Sequence, residues 1–193
     1  MRVITGKAKG HRIRAVPGAT TRPITDRAKS ALFSILGEKV VGSRVLDLFA
    51  GTGQVAIEAL SRGAESAVLV EQAPAAVGTI RLNLAHTGLA ARARVVRADV
   101  FRFLERPPEP FDLIYVAPPQ YHGLWARTLE VLDRHEGWLA PEGLVVVQIH
   151  PREFESLALG RLALSDRRDY GSVTLLFYED VGRLEQATGT RPE

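Results

Sequence analysis

Short apolar runs alternate with helical segments between residues 44 and 150, and this alternation limits the fold more than any other feature of the chain. The runs are continuous rather than interrupted by polar residues, which is typical of strands buried on both faces. Strands that alternate with helices predict a parallel sheet with helices on both sides. Five runs are strand candidates, at residues 44–49, 66–71, 93–99, 111–117 and 143–150.

Helix start and stop signals separate these strands, and they predict helices at residues 26–37, 54–62, 74–87 and 123–135. Thr25 is the expected N-cap residue of the first helix. Residues 161–180 contain two strand-like runs with no helix between them, which predicts an antiparallel hairpin at the sheet edge. The prediction is an α/β, Rossmann-like protein with a mostly parallel seven-stranded sheet and an antiparallel C-terminal hairpin.

The N-terminal residues form an extension ahead of this sheet. Residues 2–5 and 11–16 favour strands, and Gly6 and Gly10 favour a turn between them, so we expect a small β-hairpin. The predicted organisation has three parts, a basic hairpin extension at 1–24, a main domain at 25–180 and a loose C-terminal tail at 181–193.

The positive charge of the chain is concentrated at its start. Residues 1–29 contain eight Lys and Arg and one acidic residue, a net charge of +7, whereas the whole chain carries +3. A basic segment on a mildly acidic body predicts contact with a polyanion. The alternative is a solvated, partly flexible terminus.

The residue types that are absent narrow the function. The chain has no cysteine, which excludes a disulfide framework, a thiolate zinc site and a cysteine nucleophile. Its five histidines show no metal-ligand spacing, so we assign no metal. The first residues lack the apolar segment of a secretory signal, and no run is long enough to span a membrane, so we expect a cytoplasmic protein.

Ligands of parallel sheets bind at the carboxyl ends of the strands, so the residues that follow each strand are the candidate site. The turn from Gly51 to Gly53 follows the first strand, and its spacing to Ala56 fits the dinucleotide fingerprint as well as other adenosine cofactors. The candidate cofactor-binding residues are Asp47, Phe49, Gly51, Gly53, Glu71, Gln72, Asp99 and Val100.

Three acidic residues favour one adenosine cofactor over the others. Glu71 is placed to accept hydrogen bonds from ribose hydroxyls, and Asp99 to accept one from an adenine amine. Asp47 would repel a pyrophosphate but suits a cationic ligand. A ligand with a ribose, an adenine, a cationic amino acid end and no phosphate is S-adenosylmethionine.

The pattern D-x-F-x-G-x-G, followed by an acid after each of the next two strands, resembles class I methyltransferases. The N-terminal part is similar to the start of bacterial 16S ribosomal RNA guanine-N2 methyltransferases, with residues 22–27 matching their R-P-x-T-D-R segment. The resemblance covers residues 2–180. It implies a class I methyltransferase domain, S-adenosylmethionine as cofactor, and 16S rRNA or the assembling small subunit as partner. The implied RNA-binding residues are Lys7, Lys9, Arg12, Arg14, Arg22, Thr25 and Arg27.

The catalytic loop of that family is Asp-Pro-Pro followed by an aromatic residue, and this sequence departs from it twice. The implied catalytic residues here are Ala117, Pro118, Pro119, Gln120 and Tyr121. Ala117 replaces the carboxylate that would hold the target amine, and Gln120 occupies the aromatic position. We expect Gln120 to offer an amide oxygen and Tyr121 to stack on the flipped base.

The departure at Ala117 leaves other functions open. A variant active site that methylates guanine N2 is the favoured interpretation. The alternatives are an S-adenosylmethionine-binding RNA protein without turnover and a methyltransferase for another substrate. We expect a monomer.

Overall fold

The computed structural model describes residues 1–18 and 24–182. Within these residues the regular elements alternate as expected along the chain. They are α1 (Asp26–Leu36), β1 (Arg44–Leu48), α2 (Gln54–Ser61), β2 (Ser66–Glu71), α3 (Pro74–His86), β3 (Ala93–Arg97), α4 (Val100–Leu104), β4 (Phe111–Val116), α5 (Leu124–Arg134), β5 (Leu139–Ile149), β6 (Leu162–Tyr170) and β7 (Val173–Asp180).

All seven strands belong to one sheet, in the order β3-β2-β1-β4-β5-β7-β6. The first five strands are parallel to one another, and β7 runs antiparallel to both β5 and β6. This arrangement confirms the predicted mostly parallel sheet with an antiparallel C-terminal hairpin. The strand order reverses direction at β1, which lies between β2 and β4, and such a switch point is where open α/β sheets bind ligands.

Side chains of the inner strands alternate between two apolar cores, one on each face of the sheet. Helices α1, α2 and α3 cover one face, where Val45 of β1 is buried. Helices α4 and α5 cover the other, where Leu46 and Leu48 of the same strand are buried. Burial on both faces explains the continuous apolar runs. Trp125 and Trp138 are both buried in the core on the α4–α5 face.

Three elements differ from the sequence-based prediction. The five-residue helix α4 was not predicted, because so short a segment shows no clear periodicity. Strand β5 begins at Leu139, four residues earlier than predicted. The N-terminal hairpin has a single antiparallel bridge, between Arg2 and Arg12, rather than two paired strands. None of the described helices is long and apolar enough to cross a membrane.

The N-terminal arm, residues 1–18, is anchored to the helices by three buried side chains, although most of its other residues are exposed. Val3, Ala8 and Ile13 are at most 5% exposed and belong to the core on the α1–α3 face. Gly6 has a φ of +84° and lies so close to α2 that a Cβ would be 1.8 Å from the Ser61 carbonyl oxygen. The alternative of a wholly solvated terminus is therefore wrong for the described part of the arm.

The buried carboxylate of Glu58 anchors this arm to α2. It accepts hydrogen bonds from the amides of Ile4 at 2.8 Å and Thr5 at 3.0 Å. Its cationic partners are Arg62 at 2.9 Å and the fully buried Lys29 at 3.5 Å. Lys29 belongs to the basic segment 1–29 that is predicted to contact a polyanion, and for this residue the prediction is wrong, because its side chain faces the interior. Burial lowers the pKa of Lys29, against the opposing effects of Glu58 and Asp26.

Candidate active site

The turn after β1 brings the chain back over the sheet through three residues with positive φ. Phe49 has a φ of 62°, Gly51 of 56° and Gly53 of 74°. A Cβ on Gly53 would lie 3.0 Å from Leu69, so this glycine permits close packing of the turn on β2. A Cβ on Gly51 would meet only the Phe49 carbonyl, at 4.0 Å. The backbone at Gly51 is therefore open to a ligand, as the fingerprint requires.

Glu71 at the end of β2 holds this turn in place. Its Oε2 accepts the amide of Gly51 at 2.9 Å, and its Oε1 accepts the amide of Ala73 at 2.8 Å. Each carboxylate oxygen has a second lone pair, so both can still accept a hydrogen bond from a ligand hydroxyl. Glu71 is half-buried, whereas the neighbouring Gln72 is exposed.

Asp47 lies beneath the turn and is only 2% exposed. Its Oδ2 accepts the amide of Ala56 at 3.4 Å. Burial raises the pKa of Asp47 to about 7. The hydrogen bond from the Ala56 amide acts in the opposite direction, and the negative charge of Glu71 adds to the effect of burial. A direct contact with a cationic ligand stays a prediction for this side chain.

Gln54, the first residue of α2, is a candidate cofactor-binding residue that the sequence analysis did not identify. It is 5% exposed, and its Nε2 donates to the Ile24 carbonyl at 3.4 Å. Its Oε1 is buried and accepts no hydrogen bond from the described part of the chain. An unpaired buried acceptor beside the glycine turn suits the ammonium of an amino acid, because leaving it unpaired costs free energy.

Asp99 follows β3 and is the N-cap residue of α4. Its Oδ1 accepts the amides of Phe101 at 3.0 Å and Arg102 at 3.1 Å. Among the described residues Oδ2 makes no hydrogen bond, so this oxygen is available to an adenine amine. Val100 is buried beside it.

The proline loop after β4 reaches the same edge of the sheet. The amide of Ala117 donates to the Leu48 carbonyl at 3.4 Å, which places the loop beside the end of β1. Ala117, Pro118 and Gln120 are half-buried, and Pro119 and Tyr121 are exposed. The strands therefore bring the proline loop and the glycine turn together, as the sequence predicted.

Two side-chain contacts near the loop were not predicted from the sequence, one made by Tyr115 and one by Glu153. Tyr115 donates a hydrogen bond to the side-chain oxygen of Gln148 on β5. Burial raises the pKa of Tyr115 well above its usual value, with a smaller effect of Asp47, so the hydroxyl keeps its proton and donates. The side chain of Glu153 accepts the amides of Tyr121 and His150, and no pattern in the sequence marked this residue.

The exposed cations of the arm lie around a shallow, wide-open concavity next to α3, lined by Lys9, Gly10, His11, Arg12, Arg14 and His86. No acidic residue lines it. Within residues 1–18 and 24–182, Lys9, Arg12 and Arg14 form no ion pair with a carboxylate. Unneutralised cations on a concave surface attract anions.

Lys7, Thr25 and Arg27, which were also predicted to bind RNA, do not line this concavity. Lys7 and Arg27 are exposed. Thr25 caps α1 by accepting the Ala28 amide at 3.2 Å, as predicted for its local role. Arg22 lies outside the described residues, as does most of the tail that was predicted at 181–193.

Comparison with known proteins agrees with this geometry. The family described as "Conserved hypothetical protein 95" matches residues 1–179. The chain is 36% identical to "Putative rRNA methyltransferase YlbH" of Bacillus subtilis strain 168, over 94% of this chain and 100% of that protein. It is 37% identical to "Ribosomal RNA small subunit methyltransferase D" of Escherichia coli strain K12, over 77% of this chain and 74% of that protein.

A solved structure described as "Putative methyltransferase yhhF from Escherichia coli" superposes with a TM-score of 0.81 at 35% identity, covering 93% of this chain and 97% of that one. The sheet order, the glycine turn and these matches all lead to the same assignment. The chain has the class I methyltransferase fold and belongs to the Conserved hypothetical protein 95 family, the bacterial 16S rRNA methyltransferase family that its motifs resemble.

Proposed function

We propose that this protein is an S-adenosylmethionine-dependent rRNA methyltransferase that modifies the N2 amine of a guanine in 16S rRNA. The observation that carries the proposal is the meeting, at one sheet edge, of a glycine turn held by Glu71 with a proline loop that ends in the exposed Tyr121. The names of the two curated relatives, both of which describe rRNA methyltransferases, support the same reaction class.

The acceptors at this edge fit S-adenosylmethionine. Glu71 would bind the ribose hydroxyls, the free oxygen of Asp99 the adenine amine, and the unpaired Oε1 of Gln54 the ammonium. Gly51 leaves the turn open to close approach. The cofactor supplies a methyl group bonded to a positively charged sulfur, which is electrophilic.

The proline loop would prepare the target amine. The lone pair of a guanine amine is delocalised into the ring, which makes the amine a poor nucleophile. Acceptors that hold its two hydrogens orient the lone pair toward the methyl group, and we assign this role to the Pro118 carbonyl and the Gln120 side chain. Tyr121 would stack on the flipped base. No strong base is needed, because the nitrogen loses a proton readily once it is cationic.

The arm would position the RNA. Lys9, Arg12 and Arg14 surround a concavity without acidic residues, and contacts of such cations with phosphates fix the register of an RNA without reading its sequence. Because residues 1–18 pack on α2, these cations have a defined position relative to the glycine turn.

The experiment that tests this function is mass mapping of 16S rRNA methylation in cells with and without the gene. We expect one N2-methylguanine to be lost on deletion. Purified protein, S-adenosylmethionine and either naked 16S rRNA or small subunits from the deletion cells would then show which substrate restores it.

Ala117 favours one second candidate, an RNA-binding protein that holds S-adenosylmethionine without turnover. Losing one preorganised polar group at a reacting centre costs about 10²–10³ in rate. Firm cofactor binding with no methyl transfer to either substrate would establish this candidate.

A further inference from the structure

Tyr121, the last residue of the proline loop, has a backbone conformation that must be held by its surroundings. Its φ is 63°, in the left-handed region that residues other than glycine rarely adopt. The residue is 63% exposed, so packing of its ring against the core does not hold this conformation. A non-glycine residue in this region is strained, and it persists where other contacts determine its conformation, often at functional sites.

Glu153 makes the contact that holds this backbone. It lies in the 3-10 helix Pro151–Glu153, directly after β5. Its Oε1 accepts the Tyr121 amide at 2.6 Å, and its Oε2 accepts the His150 amide at 3.0 Å. One carboxylate thus joins the proline loop to the end of the neighbouring strand.

His150 supports the ring of Tyr121 from one side. The two ring centroids are 5.7 Å apart, with an interplanar angle of 43°. The Nδ1 of His150 accepts the Arg152 amide at 3.2 Å, which orients the imidazole. The rings are too close to admit a base between them. A base that stacks on Tyr121 would therefore contact the side of the ring that faces away from His150.

We propose that Glu153 is a positioning residue, which holds Tyr121 so that the target base stacks where the amine meets the methyl group. This inference rests on the proposed function. The carboxylate of Glu153 is bonded to the amides of Tyr121 and His150, so its effect on the base would pass through Tyr121. A displacement of about 1 Å in a group that positions substrate can cost roughly 100-fold in rate.

The test uses single-turnover methylation of small subunits by the full-length protein at saturating RNA. Glu153→Ala should lower the rate by about 10–100-fold while the Kd for S-adenosylmethionine changes less than about twofold. Glu153→Gln keeps the side-chain length and one acceptor oxygen, so its rate should lie between those of the wild type and Glu153→Ala. The matched control is Glu155→Ala, because Glu155 is an exposed acid two residues away; its rate should equal that of the wild type.

A double-mutant cycle separates positioning from a general structural role. In a Tyr121→Ala background, Glu153→Ala should cost less than about threefold, because the group it positions is gone. An equal cost in both backgrounds would overturn the inference. If Glu153→Ala fails to fold, by circular dichroism, the same cycle is run with Glu153→Gln.

Two other outcomes are distinct from each other. A wild-type protein that methylates subunits and a Glu153→Ala variant that matches its rate would overturn the inference alone. A wild-type protein with no turnover on subunits or naked RNA would overturn the proposed function and this inference with it.

Discussion

The side-chain amide of Asn83 pairs with the backbone of Arg14. Its Oδ1 accepts the Arg14 amide at 2.9 Å, and its Nδ2 donates to the Arg14 carbonyl at 3.1 Å. The same Nδ2 donates to the Thr52 carbonyl, in the glycine turn, at 3.0 Å. One buried amide on α3 therefore holds both the arm and the turn.

The first prediction follows from this amide. Asn83→Ala should lower the free energy of unfolding by about 2–4 kcal/mol, since several backbone groups lose their partner in a buried place. Asn83→Asp should cost at least as much, because a carboxylate cannot donate to two carbonyls. Urea denaturation measures both. The control is Arg81→Ala on the exposed side of the same helix, expected within about 0.5 kcal/mol of the wild type.

The second prediction concerns Glu71 and the cofactor. Glu71→Ala should weaken S-adenosylmethionine binding by about 1.5–3 kcal/mol, because it removes an ionised acceptor and frees the Gly51 amide. Glu71→Gln should lose less, since one acceptor oxygen remains. Calorimetry checks this, with the exposed Gln72→Ala as control. An unchanged affinity in Glu71→Ala would remove this residue from the site.

The third prediction is the pH dependence that Asp47 imposes on stability. The pKa of Asp47 is about 7 in the fold against an ordinary 3.8, so between these values the unfolded chain has released a proton that the folded protein keeps. The free energy of unfolding must therefore fall as pH rises through this window. Asp47→Asn removes this titration. The free energy of unfolding of the variant should therefore rise, relative to that of the wild type, by about 2–4 kcal/mol between pH 4 and pH 8.

Denaturation of both proteins at these two pH values measures the difference. Other groups titrate in both proteins, so only the difference between them reports on Asp47. If the difference in free energy of unfolding between the two proteins is the same at both pH values, folding does not raise the pKa of Asp47.

The fourth prediction concerns the cations of the arm. Deleting residues 1–16 would remove Val3, Ala8 and Ile13 from the core, so point substitutions are the better test. Replacing Lys9, Arg12 and Arg14 by Gln should reduce the slope of log K against log salt by roughly 0.7–0.9 for each lost phosphate contact. Binding of S-adenosylmethionine should persist. Arg134→Gln on α5, outside the arm, should leave the slope unchanged.

The fifth prediction concerns the missing carboxylate. Gln120→Ala should lower the single-turnover rate by about 10–10³-fold with little change in cofactor affinity, if Gln120 holds the amine. Ala117→Asp tests whether the loop can still accommodate a carboxylate. A higher rate would mean that the site still fits a carboxylate, and an equal or lower rate would mean that it is built around Gln120, where a new half-buried charge is unfavourable.

The sheet and the position of the site followed from local sequence signals. Strand and helix periodicity, and the turn residues between them, act over a few residues, so they are visible in the chain itself. The rule that parallel strands present ligands at their carboxyl ends then placed Gly51, Glu71 and Ala117 at one edge, and the structure brings these elements together there.

The partners of three polar side chains were decided by the tertiary structure alone. Asn83 is 69 residues from Arg14, Glu58 is 54 from Ile4, and Glu153 is 32 from Tyr121. Each of these side chains binds a backbone amide. Every residue except proline has such an amide, so the sequence does not indicate which one will be bound. Such a residue reads as an ordinary polar side chain until the fold supplies its partner.

The basic segment shows the same division. Lys9 and Lys29 are the same residue type within 20 positions, and their charge alone predicted the same role. Lys29 lies on the face of α1 that also buries Ala28 and Leu32, where the Glu58 carboxylate offsets its charge. Lys9 lies on an exposed turn. The sequence determined that this segment is basic, and the packing of α1 on α2 decided which cations reach solvent, because burial depends on contacts between distant elements.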